Sequence, residues 1–185
     1  MGSTSIESEQ LQAFQASTWQ ETGTLEALGG HGVRAIAVDL PGHGVTGGQA
    51  LPPNSRAAFL QDLLKALHVR QPLVLITPSM SGSYILPWLA DHAAELTAWV
   101  AVAPAGLKQW VPQGVLEAAS KEAKLKVLAI YGEKDGMRPD FTLIEDALPR
   151  AQFLLIPAAG HACYKDAPKL FNRELLRFLD NEVAG

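Results

Sequence analysis

The feature that most constrains the fold is a set of five short apolar segments, separated by residues with helical spacing and lacking clean period-two alternation. They are VRAIAVD (33–39), PLVLIT (72–77), AWVAVA (98–103), LKVLAIY (125–131) and QFLLIP (152–157). Strands apolar on both faces belong to sheets covered on both sides, and intervening helices supply the crossovers that parallel pairing needs. The predicted class is therefore α/β, a mostly parallel sheet with helices on both faces. Between the first two segments Asn54 is placed to cap a helix whose Leu60, Leu63, Leu64 and Leu67 recur at i, i+3, i+4 and i+7. After the last, Asp166 is placed to cap a helix carrying Phe171, Leu175, Phe178 and Leu179 on one side.

With 185 residues the chain has enough material for one sizeable core. No repeat and no Pro/Gly/Ser-rich linker divides it, so residues 17–185 read as a single domain after a weakly specified leader, 1–16. The composition, 48% hydrophobic and 18% charged, is that of a globular protein and not of a disordered one. A net charge of −4, with Lys121, Lys124 and Lys126 as the densest basic group, argues against nucleic acid as a partner. Cys163 is the single cysteine, which excludes an intrachain disulfide and favours a cytoplasmic setting. No apolar run approaches the roughly 18 residues of a membrane span. Gly2 is followed by Ile6 where a myristoylation signal has Ser or Thr. The absence of HExxH, CxxC and P-loop spacings leaves metal and nucleotide cofactors without support.

The chemistry starts at TPSMSGS, residues 77–83, where the second apolar segment gives way to a helix. A serine hydroxyl becomes a nucleophile when a base takes its proton and N–H donors stabilise the oxyanion. A tight strand-to-helix turn achieves this by projecting Oγ above the sheet, with the next residue's N–H aimed at the oxyanion. Ser79 occupies that place and Met80 follows it. The usual G-x-S-x-G form is altered, with Thr77 and Ser81 in the glycine positions and Gly82 supplying the close approach of the helix. Taken alone, Ser79, Ser81 and Ser83 fit helix capping as well as catalysis.

The partners decide between these readings. In this architecture the acid follows a later strand and the histidine follows the last, in chain order Ser, Asp, His. Asp135 stands in GEKDGM after the fourth segment and His161 in AAGHACY after the fifth. Functional groups collect at the carboxyl ends of parallel strands, so the three are expected to converge. Ser79 would attack an acyl carbonyl, His161 would serve as general base and then acid, Asp135 would orient the imidazole, and Met80 N–H would donate to the oxyanion. His43 reads as a loop residue. His31, His68 and His92 sit near helix ends, where a cation is favoured, and Cys163 reads as a small buried filler.

RAIAVDLPGHG, PSMSGSYILPWL, VAVAP, YGEKD and AGHACY together resemble the α/β-hydrolases, and more narrowly the alpha/beta hydrolase domain-containing protein 14 family, from about Ser17 to the C-terminal helix. The resemblance implies a small cytosolic or nuclear serine hydrolase without a large lid, acting on short acyl esters. Its B-type members are associated with removing acetyl groups from lysine, passing them to coenzyme A, and binding a general transcription factor subunit. It therefore implies an acyl substrate or acetylated lysine, with coenzyme A and a protein partner as further expectations. The departure lies before Ser17, where MGSTSIESEQLQAFQA does not resemble the family's β-hairpin and its mid-sheet strand ending in His-Gly. Read as a shortened form, the chain lacks the loop that gives the second oxyanion donor, a loss worth about 10²–10³ in rate in a comparable enzyme class. Segments 33–39 and 72–77 must then pair directly or leave the domain marginal. The alternative is a non-catalytic interaction module on a hydrolase scaffold.

Overall fold

The structure, a computed structural model, describes residues 15–183. Strands β1 (Val74–Pro78), β2 (Ala98–Val102), β3 (Lys126–Gly132) and β4 (Gln152–Ile156) form one sheet in the spatial order of the sequence. Every neighbouring pair is parallel, with Thr77 opposite Ala101, Ala101 opposite Ala129 and Ala129 opposite Phe153. Each parallel step needs a crossover. Before the sheet come α1 (Ala16–Glu21), α2 (Thr24–Gly30) and α3 (Arg56–Ala66); α4 (Gly82–His92) joins β1 to β2, α5 (Leu107–Trp110) and α6 (Val115–Ser120) join β2 to β3, and α7 (Phe141–Ala147) joins β3 to β4; α8 (Cys163–Asp166) and α9 (Pro168–Glu182) follow the last strand.

Two cores flank the sheet because successive side chains leave opposite faces. Trp99, Ala101, Val127, Ala129 and Tyr131 face the cluster built on α3, α4, α6 and α7, where Trp88, Leu116 and Ile144 are fully buried. Ala98, Val100, Val102, Leu128 and Ile130 face the opposite cluster, made with Leu28 of α2 and with Phe171, Leu175, Phe178 and Leu179 of α9. The apolar stripe expected on the C-terminal helix is thus the one that packs. No helix among the described residues is long and apolar enough to cross a membrane.

Three expectations need correction. Segment 33–39 is not a strand: it lies outside the four-stranded sheet, with Val33 and Ala35 packed on the α2/α9 cluster while Ile36 and Val38 are 45% and 38% exposed. Its β-branched residues favour an extended chain, but a strand also needs a hydrogen-bonded neighbour, and segments 33–39 and 72–77 do not pair directly. Asn54 does not cap α3, since it lies within a 3₁₀ turn (Pro53–Ser55) and no side chain caps the helix. Asp166 does not cap α9 either. Pro168 opens that helix, a place where its missing N–H costs nothing, and Asp166 Oδ2 instead accepts a hydrogen bond from Gly160 N at 2.7 Å. The expected leader, 1–16, falls outside the described residues as far as residue 14.

Candidate active site

β1 ends at Pro78, whose extended backbone (φ −77°, ψ 140°) hands the chain directly to a 3₁₀ turn, Ser79–Ser81, that runs into α4. Ser79 holds φ at +45°, in the left-handed region that non-glycine residues seldom occupy. Such strain persists only where surrounding contacts enforce it. Here the Ser79 carbonyl accepts a hydrogen bond from Ala105 N at 2.7 Å. The Met80 N–H shares that trans peptide and points away from the pinned carbonyl, so one bond fixes the direction of both. Gly82 makes the contact sterically possible, because a Cβ there would lie 2.6 Å from Pro104 Cβ and 2.9 Å from Ala105 N.

Two further loops complete the site. Asp135 follows β3 and is buried, with Oδ1 accepting the Met137 N–H at 2.8 Å. His161 follows β4, on a loop tied to the Asp135 loop through Lys134 N to Ala159 O at 2.8 Å, Glu133 N to Ile156 O at 2.9 Å and Ala158 N to Glu133 Oε2 at 2.8 Å. Gly132, the last residue of β3, leaves no room for a Cβ against the backbone of Ala159 and Gly160. The loops that carry the acid and the imidazole are therefore packed as one unit.

All three predicted side chains meet. Ser79 Oγ lies 2.7 Å from His161 Nε2, and His161 Nδ1 lies 3.1 Å and 3.0 Å from the two carboxylate oxygens of Asp135. An ionised carboxylate only accepts hydrogen bonds, so Nδ1–H donates to Asp135 and Nε2 is left to accept the Ser79 hydroxyl proton. The Asp135 side chain is 1% exposed and the imidazole 33% exposed, an arrangement with a sheltered anion beneath a ring open to a ligand.

The other sequence candidates lie elsewhere. His31 pairs with Asp180 and His92 with Glu95, each at 2.6 Å on the surface, while His43 Nδ1 contacts the Pro41 carbonyl at 3.2 Å within its loop. Cys163 is buried, and burial, then the nearby Asp135 charge, pushes its thiol up to about 12. It cannot supply a thiolate near neutral pH. Ser81 caps nothing with its side chain, and the Ser83 hydroxyl donates to the Met80 carbonyl at 2.6 Å, so helix capping does not account for the serines. Sequence reasoning missed the contribution of Pro104 and Ala105. Its signal was small residues directly after a buried strand. Among the described residues no cluster of His, Cys, Asp or Glu is arranged to hold a metal ion.

Residues 15–139, which include Ser79 and Asp135, match the hydrolase family described as serine aminopeptidase, S33. Zebrafish (Danio rerio) ABHD14A is 41% identical over 173 residues, 91% of this chain and 61% of that protein. Human ABHD14B, named as a candidate protein-lysine deacylase, is 36% identical over 172 residues, 90% of this chain and 78% of that protein. The chain belongs to this α/β-hydrolase family. As an α/β-hydrolase it resembles the crystal structure of a CIB-like hydrolase from Thermoplasma acidophilum, with a TM-score of 0.77 and 24% identity over 91% of this chain and 82% of that one. The Bacillus subtilis carboxylesterase CesB gives a TM-score of 0.71 at 17% identity, covering 90% and 80%. At these identities the structural likeness establishes the fold. The chain spans 61% of the length of its zebrafish relative.

Proposed function

We propose that the protein cleaves short acyl esters or amides, acylated lysine among them, through an acyl-Ser79 intermediate. The observation that carries this reading is the unbroken hydrogen-bonded line from Ser79 Oγ through His161 to Asp135. In the first step the Ser79 hydroxyl proton passes to His161 Nε2 as Oγ bonds to the acyl carbon, and the carbonyl electron pair moves to oxygen as an oxyanion facing Met80 N–H. Asp135 holds the ring through Nδ1–H and stabilises the imidazolium. Collapse of the tetrahedral species expels the alcohol or amine, which takes the proton from Nε2. Water then attacks the acyl-serine with His161 as base, releasing a carboxylic acid and restoring the hydroxyl. A thiol such as coenzyme A in place of that water would make the same intermediate an acyl donor.

A fluorophosphonate probe tests the reading, because it reacts with an activated serine and not with an ordinary hydroxyl. Labelling of the wild-type chain and none of Ser79→Ala is expected, together with p-nitrophenyl acetate turnover that disappears in His161→Ala. Equal labelling of wild type and Ser79→Ala would refute the assignment. Release of acetate from an acetyl-lysine peptide distinguishes amide from ester substrates.

A further inference from the structure

Arg56 opens α3 beside the elbow. Its Nη1 donates to Ser83 Oγ at 2.6 Å, the Ser83 hydroxyl donates onward to the Met80 carbonyl at 2.6 Å, and its Nε donates to the Leu51 carbonyl at 3.0 Å. The guanidinium lies over the Tyr84 ring, with Cζ 5.2 Å from the centroid. Of its five N–H groups, these bonds use two. None of the ion pairs among the described residues includes Arg56.

This placement is electrostatically unfavourable as it stands. Ser83 is the second residue of α4, so the cation sits at the positive end of a helix dipole with no ion-pair partner among the described residues. A second donor lacks a partner at the same spot. Tyr84 is 2% exposed and its hydroxyl has no acceptor within hydrogen-bond geometry, the Leu51 backbone lying close by. Burial pushes the phenol up against the opposing pull of Arg56, which keeps it a neutral donor. A partly buried guanidinium with unused donors, a helix N-terminus and an unpartnered phenol together call for an anion, and a planar carboxylate suits the guanidinium fork.

We infer that Arg56 is a specificity residue that receives the free carboxylate of an acidic acyl group, so that the acyl chains carried by Ser79 are short dicarboxylyl groups such as succinyl or glutaryl. The inference rests on the acyl-Ser79 reading and narrows its substrate class. Arg56 reaches the Met80 carbonyl, one residue from Ser79, through a single bridging hydroxyl, and the tether inferred is accordingly a short one of a few methylenes.

The test separates binding from turnover. N-methylsuccinamate and its neutral isostere N-methylbutyramide are titrated against the intact chain by NMR chemical-shift mapping at low salt. The succinamate is expected to bind at least about tenfold more tightly, as a charge-assisted bidentate pair would give, and Arg56→Gln is expected to remove that difference. The ratio of kcat/KM for the hemisuccinate and butyrate esters of 7-hydroxycoumarin should fall by a similar factor. A purely structural role for Arg56 would depress both esters and leave the ratio unchanged. Arg56→Lys, which keeps the charge without the fork, should retain part of the preference. If the variants fail to fold, the wild-type comparison of charged with neutral probe decides alone. Equal affinity of the wild type for both probes overturns the proposal, as does an Arg56→Gln variant that folds and keeps the preference. Turnover without acidic preference leaves the hydrolase reading intact and removes this one. Selective binding without Ser79-dependent turnover removes the acyl-Ser79 reading and leaves Arg56 a carboxylate-binding residue only.

Discussion

Thr77 Oγ1 accepts a hydrogen bond from Trp99 Nε1 at 2.7 Å, joining β1 to β2 beneath the elbow with both side chains buried. This explains why a threonine stands where the usual motif has glycine. Its β-branched backbone suits the end of a strand, and its hydroxyl satisfies an indole that has no access to water.

Thr77→Val keeps the shape and removes the acceptor. The orphaned indole N–H should lower stability by about 1–3 kcal/mol, visible as a lower urea midpoint with an unchanged slope. Thr77→Gly, which restores the common motif, should cost at least as much, because it leaves a void as well.

Gly82→Ala should damage the site more than the fold. The new Cβ would displace Pro104 and Ala105, loosening the bond that directs the Ser79–Met80 peptide. A drop in kcat on the order of 10²-fold, the effect of losing one oxyanion donor, is expected in p-nitrophenyl acetate assays. Gly29→Ala in α2, where a Cβ meets nothing within 4 Å, serves as the control and should leave turnover unchanged.

Asp135→Asn should leave the backbone of its loop in place and set an amide donor where one of the two carboxylate oxygens faces His161 Nδ1, which favours the wrong tautomer. A fall in kcat of about 10⁴-fold is expected, by analogy with the same change in a triad hydrolase. A circular-dichroism melt near that of the wild type would show that the loss is chemical.

Cys163 should resist iodoacetamide at pH 8 in the native chain and react once the chain is unfolded. Its thiol is raised from an ordinary 9.0 to about 12 by burial and the Asp135 charge. Between those values the unfolded chain releases a proton that the native chain keeps. Native protein binds more protons there, so stability should fall as pH rises from about 9 toward 12. Cys163→Ala should flatten part of that decline in pH-dependent chemical denaturation.

The sequence was most informative where local pattern and global topology agree. The four segments that became β1 to β4 are apolar on both faces, and both faces are covered at β2 and β3, while the edge strand β4 leaves Leu155 39% exposed. Segment 33–39 carries a similar composition and does not join the sheet, since pairing depends on a neighbour that a strand's own residues do not encode. Ser79, Asp135 and His161 could be found because parallel topology places strand ends together. Ala105, Arg56 and Trp99 escaped notice because their contributions are contacts between distant segments: an amide, a bridged guanidinium and an indole, none announced by spacing. The caps failed for a similar reason. Asp166 looked like a helix start and is instead the anchor of the loop bearing His161.

The positive φ of Ser79 has a consequence for anyone wishing to make this protein more robust. Glycine would relax that backbone, whereas every other residue keeps strain on the order of 1–3 kcal/mol. A gain in thermal endurance is therefore open at Ser79, and taking it would discard the hydroxyl on which the proposed chemistry depends. On the proposed function, selection for durability and selection for turnover would pull this position in opposite directions.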